Sequence, residues 1–145
     1  MDIVKELLLN YYFLGFVSAW VVATLLKAFL HSANHGLKFS LKHGMQNGGM
    51  PSGHTTVVST LTFGLLFRTG FSDLFFASLI FSSIIIMDAF RVRKNIGIQG
   101  DKLNELLKEF NEKPIQVVYG HSFTQVLAGL ILGLTLAFSW NLVLF

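Results

Sequence analysis

Five histidines stand at positions 31, 35, 43, 54 and 121, and the last two each open an apolar stretch of about the length that crosses a bilayer. An imidazole can attack phosphorus and carry the phosphoryl group as phosphohistidine, while a second imidazole protonates the departing alkoxide. His54 lies in Gly48-Gly-Met-Pro-Ser-Gly-His54. Pro51 suits the first turn of a helix, the glycines let backbone approach a ligand closely, and His54 is expected one turn in. A helix start offers unpaired N–H groups at the positive end of its dipole, which suits phosphate, and Ser52 adds a hydroxyl. A capped helix start with an interfacial histidine is the plainer reading of the same string.

His121 follows Gly120, and Asp88, Arg91, Arg93 and Lys94 end or follow the third apolar stretch. Cations placed there would hold the equatorial oxygens of a phosphoryl group, whose transfer depends on positioning and charge stabilisation. Taken singly, each cation reads more readily as a side chain snorkelling to headgroups, and only together do they favour a site. Asp88 is expected to pair with Arg91 or Arg93, or else to take part in proton transfer. Lys27, late in the first apolar stretch, either reaches the same anion or snorkels.

The elements that must bring these groups together follow from composition. Of 145 residues, 52% are apolar, 14% aromatic and only 13% charged, against about 25% charged in ordinary globular chains. Fifteen phenylalanines and a positive mean hydropathy exceed what one small water-facing core could bury, so lipid is the expected solvent. The absence of cysteine excludes disulfides and thiolate chemistry, and no Cys/His metal pattern appears. A net charge of +3, carried by few and scattered basic residues, argues for headgroups or an anionic substrate and against nucleic acid.

Four spans are expected, over residues 11–29, 52–67, 71–87 and 123–145, in an all-helical polytopic membrane bundle forming one domain. Asp2 and Glu6 beside Lys5 speak against a cleaved signal peptide. Residues 68–73 make a tight hairpin between the second and third spans, which are therefore antiparallel neighbours. With four spans, the polar segments 31–51 and 91–120 share one membrane face and bring His54 and His121 together. The first segment reads as a loop near Gln46 to Gly49. In the second, Leu103, Leu106, Leu107 and Phe110 recur at helical spacing, which predicts an amphipathic helix lying on the membrane surface or capping other loops. Lys38, Lys42, Arg91, Arg93, Lys94, Lys102, Lys108 and Lys113 fall on the shared face, with Lys5 and Arg68 opposite, so that face is expected to be cytoplasmic. Thr55, Thr56, Ser59, Thr60 and Thr62 are expected to bond between helices. Gly129 and Gly133 should permit close packing against a neighbouring helix or a partner chain.

Three blocks carry a family resemblance: Gly48 through His54; Asp88-Ala with Val92-Arg-Lys94, Gly97, Gln99 and Asn104; and Gly120-His121 with Val126, Gly129 and Gly133. In order and spacing, across about residues 20 to 135, the chain resembles the divergent branch of the PAP2 superfamily, which is related in motif to phosphatidic acid phosphatases and vanadium-dependent haloperoxidases. The resemblance implies a metal-independent phosphohydrolase with no cofactor. Its substrate would be a lipid phosphate or diphosphate of the phosphatidic acid, phosphatidylglycerophosphate or isoprenoid phosphate class. It also implies His121 as nucleophile, His54 as acid, Ser52 with Gly53 as phosphate cradle, and Arg93 and Lys94 as substrate cations.

The chain departs from the superfamily in three places. No Lys-x6-Arg-Pro string precedes Pro51, so Lys27 is the nearest substitute, and Ile115 stands where the superfamily has Ser-Arg. Gln125 stands four residues after His121, where a carboxylate is usual. An amide that accepts only one hydrogen bond would support the imidazole less well than a carboxylate. Either Asp88 substitutes, or the chain is a weak or inactive member, or the glutamine is an engineered change that traps substrate. The competing function is a noncatalytic phospholipid-binding or scaffold protein, and a haloperoxidase is a third reading. Four spans enclose a small site poorly, so a homodimer is expected.

Overall fold

The computed structural model describes residues 3–45 and 48–144. Gln46 and Asn47 of the expected loop, and Phe145 at the expected end of the last span, lie outside them. Among the described residues the elements are α1 (Ile3–Leu8), α2 (Tyr11–His35), α3 (Leu41–Met45), α4 (Gly53–Thr69), α5 (Asp73–Met87), a π-turn (Asp88–Val92), α6 (Arg93–Glu109) and α7 (Phe123–Leu144), with no strand.

Helix α2 is started by Asn10, whose side chain accepts the N–H groups of Tyr12 and Phe13, and it is stopped by Gly36 in the left-handed region at φ 62°. Its buried stripe, Gly15, Ala19, Ala23 and Lys27, repeats every fourth residue. Small side chains at that spacing make a flat ridge that lets backbones approach. On α7 the matching stripe is Gly129, Gly133 and Ala137. Both ridges press on α4: a β-carbon on Gly133 would lie 2.6 Å from Ser59 Cβ, and one on Gly129 would lie 2.7 Å from the Ser52 carbonyl oxygen. The glycine pair therefore serves a neighbouring helix of the same chain.

The centre of the bundle is α4, which packs on α2, α5 and α7. It buries Thr55, Thr56, Ser59, Thr60 and Thr62, yet most of these hydroxyls turn back on their own helix rather than bridging, as expected, to another. Thr56 donates to the Ser52 carbonyl and Thr60 to the Thr56 carbonyl. The interhelical bonds are fewer: Thr60 also reaches the Gly133 carbonyl at 3.3 Å, and Thr62 lies 2.8 Å from the hydroxyls of both Ser78 and Ser82 on α5. Bonding to the carbonyl four residues back satisfies a hydroxyl without a partner helix, so sequence alone overstates bridging. Replacing Thr62 with valine should cost about 1–2 kcal/mol of stability, because two buried serine hydroxyls lose their shared partner. A denaturant titration in detergent that shows no loss would dismiss the cluster as a source of stability.

Among the described residues three helical runs are long and apolar enough to cross a membrane: Tyr11–His35, Asp73–Glu109 and Phe123–Leu144. The expected second span, α4, has 17 residues and does not qualify by its own length and composition. The reason is its position: enclosed by three helices, it needs hydroxyls and glycine for packing more than it needs apolar side chains. Outward faces of the other helices expose Phe76, Ile80, Ile84, Ile131 and Phe138, as lipid contact requires. The hairpin is as expected, with Gly70 closing α4 and Ser72 capping α5. The expected amphipathic helix is present, and of its two expected settings it takes the one packed against a loop, residues 115–119. Residues 93–109 also continue α5 through the π-turn, in one run of 37 residues, which the sequence did not suggest.

Candidate active site

Three helix ends are sewn together around His121. The Ser52 N–H, at the start of α4, donates to the Gln125 carbonyl in the first turn of α7 (3.0 Å), and the His121 N–H donates to the Ala89 carbonyl inside the π-turn (2.9 Å). The π-turn makes the second bond available. In an α-helix the Arg93 N–H would take the Ala89 carbonyl, but here it reaches one residue further back, to Asp88. Gly120 must be glycine at this crossing, since a β-carbon would sit 2.6 Å from the Lys94 nitrogen and 2.8 Å from the Ala89 oxygen.

The same turn sets Arg93. Positions five apart on an α-helix lie about 140° from one another, whereas the widened turn puts Asp88 beside Arg93, with Nε to Oδ2 at 2.8 Å. Both side chains are partly exposed, so the pair adds little stability; its effect is to hold the guanidinium in place.

The segment before His121 is extended and lies along α6. Asn104 clasps Ile115 with two bonds, the Gly100 α-carbon faces Val117, and the Gly97 α-carbon faces the Tyr119 ring. Tyr119 also donates to Asp101, and that bond with burial raises its pKa above the ordinary value. Helix rise from 89 to 104 is about 22 Å and extended chain from 115 to 121 about 20 Å, so the two elements keep step and deliver His121 to Ala89.

A cavity of about 440 Å³ opens at this junction, lined by Lys27, Gly53, His54, Arg93, Tyr119 and His121 on its polar side and by Trp20, Val57, Phe81 and Ile85 on its apolar side. The His54 and His121 rings are neighbours, with centroids 6.5 Å apart and planes inclined at 63°. Lys27 is buried in the cavity wall against Gly49, not snorkelled outward. Of the residues singled out in the sequence, Lys27, Gly53, His54, Arg93 and His121 are thus brought together. Asp88 and Gln125 stand behind, each bonded to a lining residue. Arg91 and Lys94 are exposed and do not line the cavity. His31, His35 and His43 cluster elsewhere, around the end of α2.

Two local expectations are corrected at the start of α4. Ser52 is the helix cap, so Pro51 precedes the helix and His54 is its second residue. The Ser52 hydroxyl is fully buried, accepts from the Thr55 N–H and hydroxyl, and does not line the cavity. Ser52 closes off the N–H groups of Thr55 and Thr56, while Gly53 and His54, the other two residues of that turn, sit at the cavity.

Gln125 does more than the sequence suggests. Its Oε1 accepts from the Ser122 N–H at 3.0 Å and lies 3.1 Å from His121 Nδ1, while its own N–H donates to the Ser122 hydroxyl. This is a capping box, legible as Ser122-x-x-Gln125 and missed in the sequence. The expectation that the amide accepts one bond is overturned, because a carbonyl oxygen has two lone pairs. Since Oε1 must face the Ser122 N–H, the imidazole has to donate from Nδ1, which leaves the lone pair on Nε2.

Burial is the largest influence on His121 and holds its pKa below the ordinary 6.5. Lys27 and His54 add to that, against upward pulls from hydrogen bonds to Gln125 and the Gly49 backbone. His121 is therefore neutral at pH 7, and the step that uses its lone pair should slow as pH falls below 6.5. Gln125→Glu keeps the capping box and adds a negative charge. It should raise the rate about tenfold, the worth of one pKa unit, and move the acid limb to higher pH. A slower enzyme with an unmoved limb would show that the amide has a role a carboxylate cannot fill.

Apolar outward faces around a cavity that holds two neighbouring histidines define a helical membrane protein. Residues 8–136 match the Divergent PAP2 family, and the chain belongs to that family. It is similar to the uncharacterized membrane protein YuiD of Bacillus subtilis (strain 168), at 31% identity over 156 aligned residues, covering 92% of this chain and 98% of that protein. No solved structure matches the chain.

Proposed function

We propose that the protein hydrolyses a lipid phosphate or diphosphate monoester through a phosphohistidine. The observation that carries this reading is the 6.5 Å spacing of the His54 and His121 rings in a cavity shared with Lys27 and Arg93. A phosphoryl group held by those cations lies between two imidazoles, one to attack phosphorus and the other to protonate the ester oxygen. Nε2 of His121 attacks phosphorus as the ester P–O bond breaks, and His54 gives its proton to the departing alkoxide. Water then attacks the P–N bond, His54 takes the water's proton, and phosphate and free His121 are regenerated. Lys27, Arg93 and the first N–H groups of α4 balance the phosphoryl charge.

In this reading α4 crosses the bilayer as a fourth span inside its neighbours, which puts both histidines on the face richer in lysine and arginine, the cytoplasmic one. The protein is expected to pair as a homodimer. A second reading, a phospholipid-binding scaffold without turnover, is favoured by Gln125 in place of a carboxylate. Phosphate release from lipid phosphates by the purified protein in detergent tests the proposal, with vanadate as competitor. Release blocked by vanadate supports it. No release, with lipid phosphate still bound, establishes the scaffold.

A further inference from the structure

Below the histidines lies a second cavity of about 140 Å³, reached by Tyr12, Phe16, Leu61 and Trp140. Val57, Val58 and Phe81 line both cavities, so the two are neighbours across a thin apolar partition. The topology explains the gap: α2 and α5 each pack on α4 but barely on one another, leaving a groove floored by α4. One end of this groove carries Lys27 and Arg93 with the two histidines; the other offers rings and aliphatic groups, since the Tyr11 hydroxyl is bonded to the Ala137 carbonyl and the Trp140 N–H to Ser18.

From Lys27 back to Tyr11, α2 runs about 24 Å at ~1.5 Å per residue, most of a hydrocarbon core of ~30 Å. An occupant of the whole groove must be anionic at one end and hydrocarbon along the rest. The lower cavity fixes how many chains fit. An engineered apolar cavity of about 150 Å³ takes a single benzene, so a space of about 140 Å³ admits one chain in cross-section and not two.

We infer that the substrate is a phosphate monoester of a single long hydrocarbon chain, whose tail lies between α2 and α5 and ends in the lower cavity. The inference rests on the phosphohydrolase reading for its headgroup only. Bulk at Leu61 blocks the tail while leaving the headgroup site in place.

The test uses the full chain in phosphatidylcholine vesicles with geranylgeranyl monophosphate, isopentenyl monophosphate and dioleoyl phosphatidic acid. The long single-chain ester is expected to have the highest kcat/KM. Leu61→Trp should lower the ratio of its kcat/KM to that of the short ester by at least about tenfold, a loss of ~1.4 kcal/mol. In the unaltered protein, a long-chain phosphate bearing a diazirine at its tail tip should label Tyr12, Leu61 or Trp140. A preference for the two-chain ester, or labelling outside the groove, overturns the inference. If label enters the groove while no ester releases phosphate, the tail site holds and the phosphohydrolase reading fails. If phosphate is released but neither the label nor Leu61→Trp implicates the groove, the reverse is true.

Discussion

His121→Ala should lower hydrolysis of a lipid phosphate by at least about 10⁴-fold, the scale on which a nucleophile is lost from a covalent mechanism. His54→Ala should cost about 10²–10⁴-fold on alkyl esters, since an alkoxide needs a proton to leave. The two variants part company when the leaving group changes. With para-nitrophenyl phosphate the departing oxygen needs no proton, so His54→Ala should regain a rapid burst of para-nitrophenol ahead of slow dephosphorylation, while His121→Ala shows no burst. Rapid-quench labelling with radioactive substrate adds an independent readout: a phosphorylated protein should form in His54→Ala with the activated ester and never in His121→Ala. Equal losses for both variants on both esters would remove the division of roles between the histidines.

The second large effect is on stability. Gly133→Leu should destabilise the fold by about 3 kcal/mol or more, because its β-carbon would fall 2.6 Å from Ser59 Cβ and 2.7 Å from the Thr56 carbonyl oxygen. These are the backbone and the first side-chain atom of a buried helix, so relief requires α4 and α7 to separate. Separation would also strain the Ser52 to Gln125 bond that holds the two histidine-bearing helix ends together. Ile131→Leu, on the outward face of the same helix, is the control and should stay within about 0.5 kcal/mol. Thermal melts in detergent compare the two, and equal melting temperatures would show that the α4–α7 contact is not what holds the bundle.

Much of the bundle was legible because lipid imposes it. Runs of apolar residues announce α2, α5 and α7, and Gly70 and Ser72 mark the hairpin; the expected parity of four spans put His54 beside His121, whereas the structure joins them through the bonded ends of α4, the π-turn and α7. The site was legible in its chemistry and less so in its supports. The π-turn has no compositional mark, since residues 88–92 would also form an ordinary α-turn, and without it neither the Asp88–Arg93 pairing nor the docking of His121 on Ala89 follows. The continuity of α5 into α6 was hidden for a related reason: hydropathy falls at Asp88, and a change of solvent reads like a change of element. Ser52 and Lys94 suit phosphate by type, but burial takes one and exposure the other. Gly97 and Gly100 gave no hint of their purpose, because the chain they face is distant in sequence and irregular in form.

The hydroxyl-lined α4 also bears on how such a protein is made. Newly synthesised helices pass into the bilayer according to their own hydrophobicity, and a helix of 17 residues carrying Thr55, Thr56, Ser59, Thr60 and Thr62 is a weak candidate for passage alone. If α4 is the fourth span proposed above, its turn of three residues to the strongly apolar α5, Gly70 to Ser72, lets it cross as the leading arm of a pair. On that reading the residues that build the interior of the finished protein make α4 dependent, during biosynthesis, on the neighbour that follows it from the ribosome.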